Sequence, residues 1–263
     1  LKLQGEIAIV TTVNNWELYR KTSHSFPPEV IRYVIDGRNR FYGLKSLLFI
    51  LKKLRTKNLT WLIMVDEDAV VSSAENLFAL IHFMSVNNYT ACGMRDGGEI
   101  KWRNFSPHSI NTFCSILNLK DIYKIFDQNE ILQNQFIRNN EFSWNLENLK
   151  YKNYRRNSLF EEYYCFFFWL LRKNKKIYYL KANNPYHDET TALMNHNNKV
   201  FLYHAWYSRF YGKDEKHTHR INKMIELGEA NPINPSPLLL KNPAYKLRFL
   251  AYKYYRRFLR KFL

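Results

Sequence analysis

An α/β fold, an open sheet flanked by helices, is what this sequence predicts, and three observations carry the prediction. Short β-branched apolar runs alternate with longer runs whose leucines recur at helical spacing, the pattern of strands joined by crossover helices. Apolar residues make up 46% and aromatics 17% of 263 residues, enough for a substantial core in one large domain, with or without an appendage. Acidic residues stand where apolar runs end, and open α/β sheets bind ligands at the carboxyl ends of their strands.

Glu6 to Val13, EIAIVTTV, reads as a first buried strand. Asn14 and Asn15 then open a polar loop running to Pro27-Pro28. Ile31 to Ile35 reads as a second strand, stopped by the turn pair Asp36-Gly37. Phe41 to Lys57 places Leu44, Leu47, Leu48, Leu51 and Leu54 at helical spacing, with Lys45, Lys52, Lys53 and Arg55 mostly opposite. Leu59 to Val71, LTWLIMVDEDAVV, supplies the third strand. Ser72 or Ser73 caps a helix through Asn87, whose buried stripe is Leu77, Leu80, Ile81 and Met84. Thr90 to Met94 is a fourth short strand, with Gly97-Gly98 turning after it. Such alternation predicts parallel pairing.

The middle is less regular. Ile110 to Leu119 is a candidate strand interrupted by Asn111 and Asn118. Ile131 to Arg156 shows no clear periodicity and reads either as loops shaping a substrate pocket or as a surface excursion. Glu161 and Glu162 then start a helix with an apolar body, Phe166 to Leu171. Arg172-Lys173-Asn174-Lys175-Lys176 ends it, with Asn174 as a cap, and Ile177 to Leu180 is a strand. Lys199 to Tyr203 is another strand, with His204 at its end.

The acids after the third strand carry the chemistry. Asp66, Glu67 and Asp68 directly follow a buried run, and packed carboxylates repel and resist desolvation unless a cation meets them. Asp66 and Asp68, two apart, project to the same side of an extended chain. That suits a hard divalent cation such as Mn²⁺ or Mg²⁺ that also holds phosphates. A solvated acidic loop explains the same residues, and Asp36 fits a turn residue as well as a ligand contact. His204 and His187 are candidate further ligands. His217 and His219, between Lys216 and Arg220, read as a solvated or phosphate-facing patch. No cysteine joins these histidines at ligand spacing, which argues against zinc.

A net charge of +17 points to an anionic partner: nucleic acid, a phospholipid surface or a phosphorylated substrate. Cys92, Cys114 and Cys165, odd in number and without metal spacing, read as buried thiols of a reducing compartment. No signal-peptide pattern is visible, and no run of eighteen apolar residues predicts a membrane span. The prolines of Asn231-Pro232, Asn234-Pro235-Ser236-Pro237 and Asn242-Pro243 divide the chain into a main domain (residues 1–230), a connector (231–243) and a terminal helix (244–263). On that helix Leu247, Leu250, Ala251, Tyr254, Phe258 and Phe262 share a face. Lys246, Lys253, Arg256, Arg257, Arg260 and Lys261 fall on the other, Arg248 being the exception. A basic amphipathic helix of this kind reads as an anchor on an anionic membrane surface, or as a terminal helix docked on the domain.

In order and spacing these parts resemble the nucleotide-sugar-dependent glycosyltransferases of the GT-A fold, particularly the bacterial inverting enzymes of surface-glycan assembly. The matching residues are Asp66-Glu67-Asp68 at a strand end, the acidic pair Glu161-Glu162, the basic turn Arg172 to Lys176, the strand Ile177 to Leu180, and His187 or His204. The resemblance covers about residues 6 to 210. It implies a GT-A-like, Rossmann-type mixed sheet, a nucleotide-sugar donor, a glycan or lipid-linked acceptor, and no nucleic acid. It also implies a cytoplasmic enzyme peripheral on the inner face of the membrane. Metal would be held by Asp66, Asp68 and His204, and the donor by Thr11, Asp36, Asp66 and Glu67. Glu161 or Glu162 would be the catalytic base for the acceptor hydroxyl. Many relatives have Glu-Asp in the acidic pair and a glycine where Asn174 stands, so either glutamate can take the base position. Adjacent acids also favour a helix start for electrostatic reasons alone.

Two other classes fit parts of the sequence. A nucleotidyltransferase also uses an α/β sheet and paired carboxylates, but Thr11 to Trp16 lacks the glycines of a phosphate loop. A nucleic-acid-binding protein would account for the charge and the Tyr and Phe content, although seven of the cations lie in the tail.

Overall fold

The computed structural model describes residues 6–142, 146 and 148–259. In chain order the elements are β1 (Ile7–Val13), α1 (Trp16–Thr22), β2 (Ile31–Asp36), α2 (Leu44–Leu54), β3 (Trp61–Val65), β4 (Ala69–Val71), α3 (Ala74–Val86), β5 (Ala91–Arg95) and β6 (Ile110–Asn118). They continue with α4 (Leu119–Tyr123), α5 (Gln128–Leu132), α6 (Tyr164–Arg172), β7 (Ile177–Leu180), β8 (Ala182–Asn183), β9 (Thr191–Met194), β10 (Val200–His204), α7 (Glu215–Ile225), β11 (Leu238–Leu239) and α8 (Pro243–Leu259).

The continuous apolar runs serve two cores at once, because successive strand residues face opposite sides of a sheet. Ala8, Val10, Leu62 and Met64 enter one core, with α2 and α6. Ile7, Ile9, Trp61, Ile63 and Val65 enter the other, with α3. The α6 helix is apolar all round, as a helix inside a core must be, and no residue from Tyr164 to Leu171 is more than 8% exposed. Each such aromatic or leucine contributes roughly 1.5–3 kcal/mol by leaving water. Cys92, Cys114 and Cys165 are buried, free thiols.

The main sheet has the order β11-β2-β1-β3-β6-β5-β7, a mostly parallel, Rossmann-like arrangement flanked by helices. The parallel pairing read from strand–helix alternation holds from β11 through β3 and between β5 and β7, whereas β6 runs antiparallel to both β3 and β5, which makes the sheet mixed. Residues 96–109 link β5 to β6 without a helix, so nothing carries the chain back across the sheet for a parallel return. A second, antiparallel sheet has the order β4-β10-β9-β8. The strand expected before the acids is β3, and the apolar residues behind them form β4 in the second sheet, so the three acids occupy the corner between two sheets.

Several boundaries move for local reasons. The loop expected after Val13 contains α1, whose N-cap Asn15 accepts from the Leu18 amide at 3.1 Å. Seven residues are too short to display a helical stripe. Ile110 to Asn118 is a full strand despite its asparagines: Asn118 caps α4 by accepting from the Asp121 amide, and Asn111 serves the site. The α6 helix starts at Tyr164, downstream of Glu161 and Glu162, so neither acid lies in its first turn. Lys216 to Arg220 lies within α7, and Arg220, 8% exposed, donates to the carbonyl oxygens of Ala205 and Trp206 instead of facing solvent. Within the connector, β11 pairs with β2. Parts of the irregular 131–156 region, and Arg260, Lys261 and Phe262 of the terminal helix, lie outside the described residues.

Candidate functional site

A cleft of about 430 Å³ opens at the carboxyl ends of β1 and β3, a size typical of small-molecule sites. Its floor is the acidic corner. The Asp66 amide donates to the Phe113 carbonyl at 2.9 Å, which fixes where β3 stops. Asp68 then meets β10: His204 is paired with Ala69, and the Ala205 amide donates to the Asp68 carbonyl at 2.9 Å. That register brings His204 Nε2 to 3.0 Å from Asp68 Oδ1.

One ligand atom each from Asp66, Asp68 and His204 lie within 4.8 Å of one another. Two hard carboxylate oxygens and an imidazole nitrogen form a donor set that suits Mn²⁺, and Mg²⁺ through the oxygens. Burial, followed by the charges of Asp68 and Glu67, pushes the Asp66 carboxyl well above the usual carboxylate range. Burial pulls Asp68 the same way, but His204 outweighs it and holds that carboxyl low. The unrelieved repulsion at Asp66 is what a cation would remove. The His204 ring is clamped by stacking on Phe113 at 4.2 Å and by the edge of Trp206 at 4.4 Å. Among the described residues its Nδ1 has no hydrogen-bond partner, so the ring packing and the Asp68 contact orient it.

Glu67 points elsewhere. Its carboxylate accepts from the Asn14 and Asn15 amides at 2.5 and 2.9 Å, tying the acidic corner to the start of α1.

The opposite wall carries Glu161. Glu161, Arg103 and Asn111 all line the cleft, whereas Glu162 is exposed outside it. Burial is the main influence on the Glu161 carboxyl and pushes it up, against the opposing pull of Arg103. Arg103 Nη2 lies 3.5 Å from Glu161 Oε1. The arginine is itself fixed by a bidentate pair to Asp96, at 2.7 and 2.6 Å. Asp96 is fully buried and also accepts from Asn111 Nδ2 at 2.5 Å and from the Tyr164 hydroxyl. The loop bearing Arg103 folds back tightly here, since a Cβ on Gly97 would overlap the Phe105 carbonyl.

Two expected donor contacts and one candidate metal ligand do not line the cleft. Thr11 is fully buried and lies outside the cleft lining, which Thr12 joins instead, because the pleat sends neighbours to opposite faces. Asp36 is paired with Arg38 at 2.7 Å and lines a separate cavity against Leu239, Leu240 and Tyr245. His187 is exposed in its loop, away from the acids. Sequence reasoning missed Asp96, Arg103, Asn111, Trp206, Ser208 and Arg209. Only Asp96 left a signal, as an acid at the carboxyl end of β5, the same position that marked Asp36 and Asp66.

No family model matches the chain, and no curated protein does. Several solved structures resemble it, and three illustrate the likeness. One is a glycosyltransferase involved in the glycosylation of the major capsid of PBCV-1, at 16% identity over 45% of this chain, TM-score 0.31. Another is A197 from STIV, at 9% identity over 75% of this chain and 93% of its own, TM-score 0.40. The third is the glycosyltransferase GlyE of Streptococcus pneumoniae TIGR4, at 11% identity over 54%, TM-score 0.34. The chain spans 62% of the PBCV-1 protein and 41% of GlyE. The site's own geometry carries the functional reading.

Proposed function

We propose that this protein is a metal-dependent glycosyltransferase of GT-A type that moves a sugar from a nucleotide-sugar donor to a hydroxyl of a glycan or lipid-linked acceptor. The observation that carries this is the convergence of Asp66, Asp68 and His204 on the floor of a cleft whose other wall bears Glu161. Asp66, Asp68 and His204 would hold Mn²⁺ or Mg²⁺, which when bound supplies Lewis-acid stabilisation of a diphosphate leaving group. Thr12, Asn14 and Arg209 face the donor, the guanidinium of Arg209 matching phosphate oxygens.

Glu161 is the base. Its carboxylate takes the acceptor hydroxyl proton as the acceptor oxygen bonds to the anomeric carbon and the bond from that carbon to the diphosphate breaks. A single displacement of this kind inverts the anomeric centre. Arg103, held by Asp96, orients Glu161 and partly offsets the effect of burial on its carboxyl.

The α8 helix supports work at a membrane. Tyr245 packs on Phe41 at 4.4 Å, while Leu247 and Tyr254 are 65–68% exposed, leaving their apolar side for the cytoplasmic leaflet. No described helix is long and apolar enough to cross a membrane.

The test is thermal stabilisation by a panel of nucleotide sugars with and without Mn²⁺, since a ligand of the native state raises its melting temperature. At least one member should stabilise the protein only with Mn²⁺, and Asp68→Asn should abolish that response. A response equal in the variant, or none in the parent, overturns the assignment.

A further inference from the structure

Beside the cleft, on the Glu161 side, lies a stacked aromatic pair that no step described so far uses. Phe105 and Phe160 stack with centroids 4.0 Å apart and planes within 7°. Phe160 is 59% exposed, so its outer face is open to a ligand. It immediately precedes Glu161. Two guanidinium groups flank the inner ring: Arg103 at 4.8 Å and Arg155 at 5.8 Å from the Phe105 centroid. Arg103 belongs to the cleft, whereas Arg155 is exposed and its backbone amide donates a hydrogen bond to the Asn104 carbonyl at 2.8 Å.

We infer that Phe160, supported by Phe105 with Arg155 beside Phe105, is an acceptor subsite for a pyranose ring carried next to a phosphate group. The chemistry follows from the parts. The axial C–H face of a pyranose is weakly positive and packs on the negative face of an aromatic ring. Phe105 holds the Phe160 ring in place from behind, so little side-chain entropy is lost on binding. Arg155, 5.8 Å from the Phe105 centroid, supplies a forked cation for phosphate oxygens beside the aromatic pair. Arg103, 3.5 Å from Glu161 Oε1 and 4.8 Å from the Phe105 centroid, joins the aromatic pair to the base. A pyranose on Phe160 would therefore turn a hydroxyl toward Glu161 and its anionic substituent toward Arg155. Lys150, Arg155 and Arg156 lie on one acid-free stretch of sequence, which adds long-range attraction for an anion.

This deepens the glycosyltransferase reading and rests on it, so the experiment keeps the two apart. The intact chain is titrated, by ligand-observed NMR, with a panel of sugar 1-phosphates, the corresponding methyl glycosides, and a short single-stranded oligonucleotide. Mn²⁺-dependent nucleotide binding is followed in the same samples. Some sugar 1-phosphate should bind more tightly than its methyl glycoside. Phe160→Ala should weaken that binding at least tenfold and Phe160→Trp should keep it. Arg155→Gln should remove the preference for the phosphate, and all three variants should bind nucleotide with Mn²⁺ as the parent does. The subsite is overturned if no panel member binds, if Phe160→Ala binds as the parent does, or if the oligonucleotide alone binds and depends on Phe160. Loss of nucleotide binding in the parent would instead remove the glycosyltransferase reading, whatever the sugar phosphates do.

Discussion

At the residue scale the acidic pair 161–162 shows how one position separates two identical side chains. Glu161 turns into the cleft beside Arg103, and Glu162 turns to solvent. Glu161→Gln should lower turnover about a hundredfold to ten-thousandfold with nucleotide binding little changed, the usual effect of removing a general base. Glu162→Gln should stay within a few-fold of the parent. Steady-state kinetics on the donor found by thermal screening checks both, and equal effects at the two positions would contradict the assignment. The pH dependence has a definite sign. Burial raises the Glu161 carboxyl more than Arg103 lowers it, and only the ionised form accepts a proton. Activity should therefore fall as pH drops, with the acidic limb of kcat/KM above the ordinary glutamate range.

At the scale of elements, the turn that ends α6 explains a departure from the glycosyltransferase pattern. Asn174 has φ of 54°, the left-handed region where side chains with a Cβ are strained and where Asn and Gly are the tolerated residues. The asparagine thus does the backbone work of the glycine found in many of the enzymes this sequence resembles. Asn174→Ala should cost about 1 kcal/mol in chemical denaturation, whereas Asn174→Gly should be neutral or stabilising. A neutral alanine variant would mean that the turn relaxes out of this conformation. The start of α8 is a second element-level contact. Its Tyr245 hydroxyl donates to the carbonyls of Asn39 and Arg40 at 3.1 and 3.0 Å, and these residues have φ of 66° and 62°. The helix start therefore holds the loop that leads to Tyr42 and Gly43 in the cleft wall.

The whole molecule carries +17 charge around an acidic cleft, and the terminal helix concentrates part of that excess on an exposed, partly apolar element. Because Tyr245 supports the cleft wall, the informative truncation falls after Leu250, not in the connector. Removing residues 251–263 deletes Lys253, Arg256, Arg257, Arg260 and Lys261, each worth roughly 1 kcal/mol at an anionic surface before salt screening. The intact chain should sediment with anionic vesicles at low salt and be released at high salt. The truncated chain should stay in the supernatant with Mn²⁺-dependent nucleotide binding preserved. Equal vesicle binding by both chains would place the basic surface elsewhere, and unfolding of the shorter chain would make the helix part of the core.

By itself the sequence determined the α/β class, the buried strands and the acids at a strand end, because alternation, apolar runs and caps such as Ser73, which accepts from the Asn76 amide, are local. Those features leave their mark within a dozen residues. Tertiary structure alone decided that Thr12 and not Thr11 reaches the cleft, since that depends on which face of β1 meets which core. It also separated Glu161 from Glu162, and it reversed β6 for want of a crossover helix. Pairing of β10 with β4 put His204 against Asp68, 136 residues away, and the fold-back of residues 96–109 put Arg103 against Glu161. Such contacts are chosen by strand register and the packing of whole layers, and no local run of residues records them.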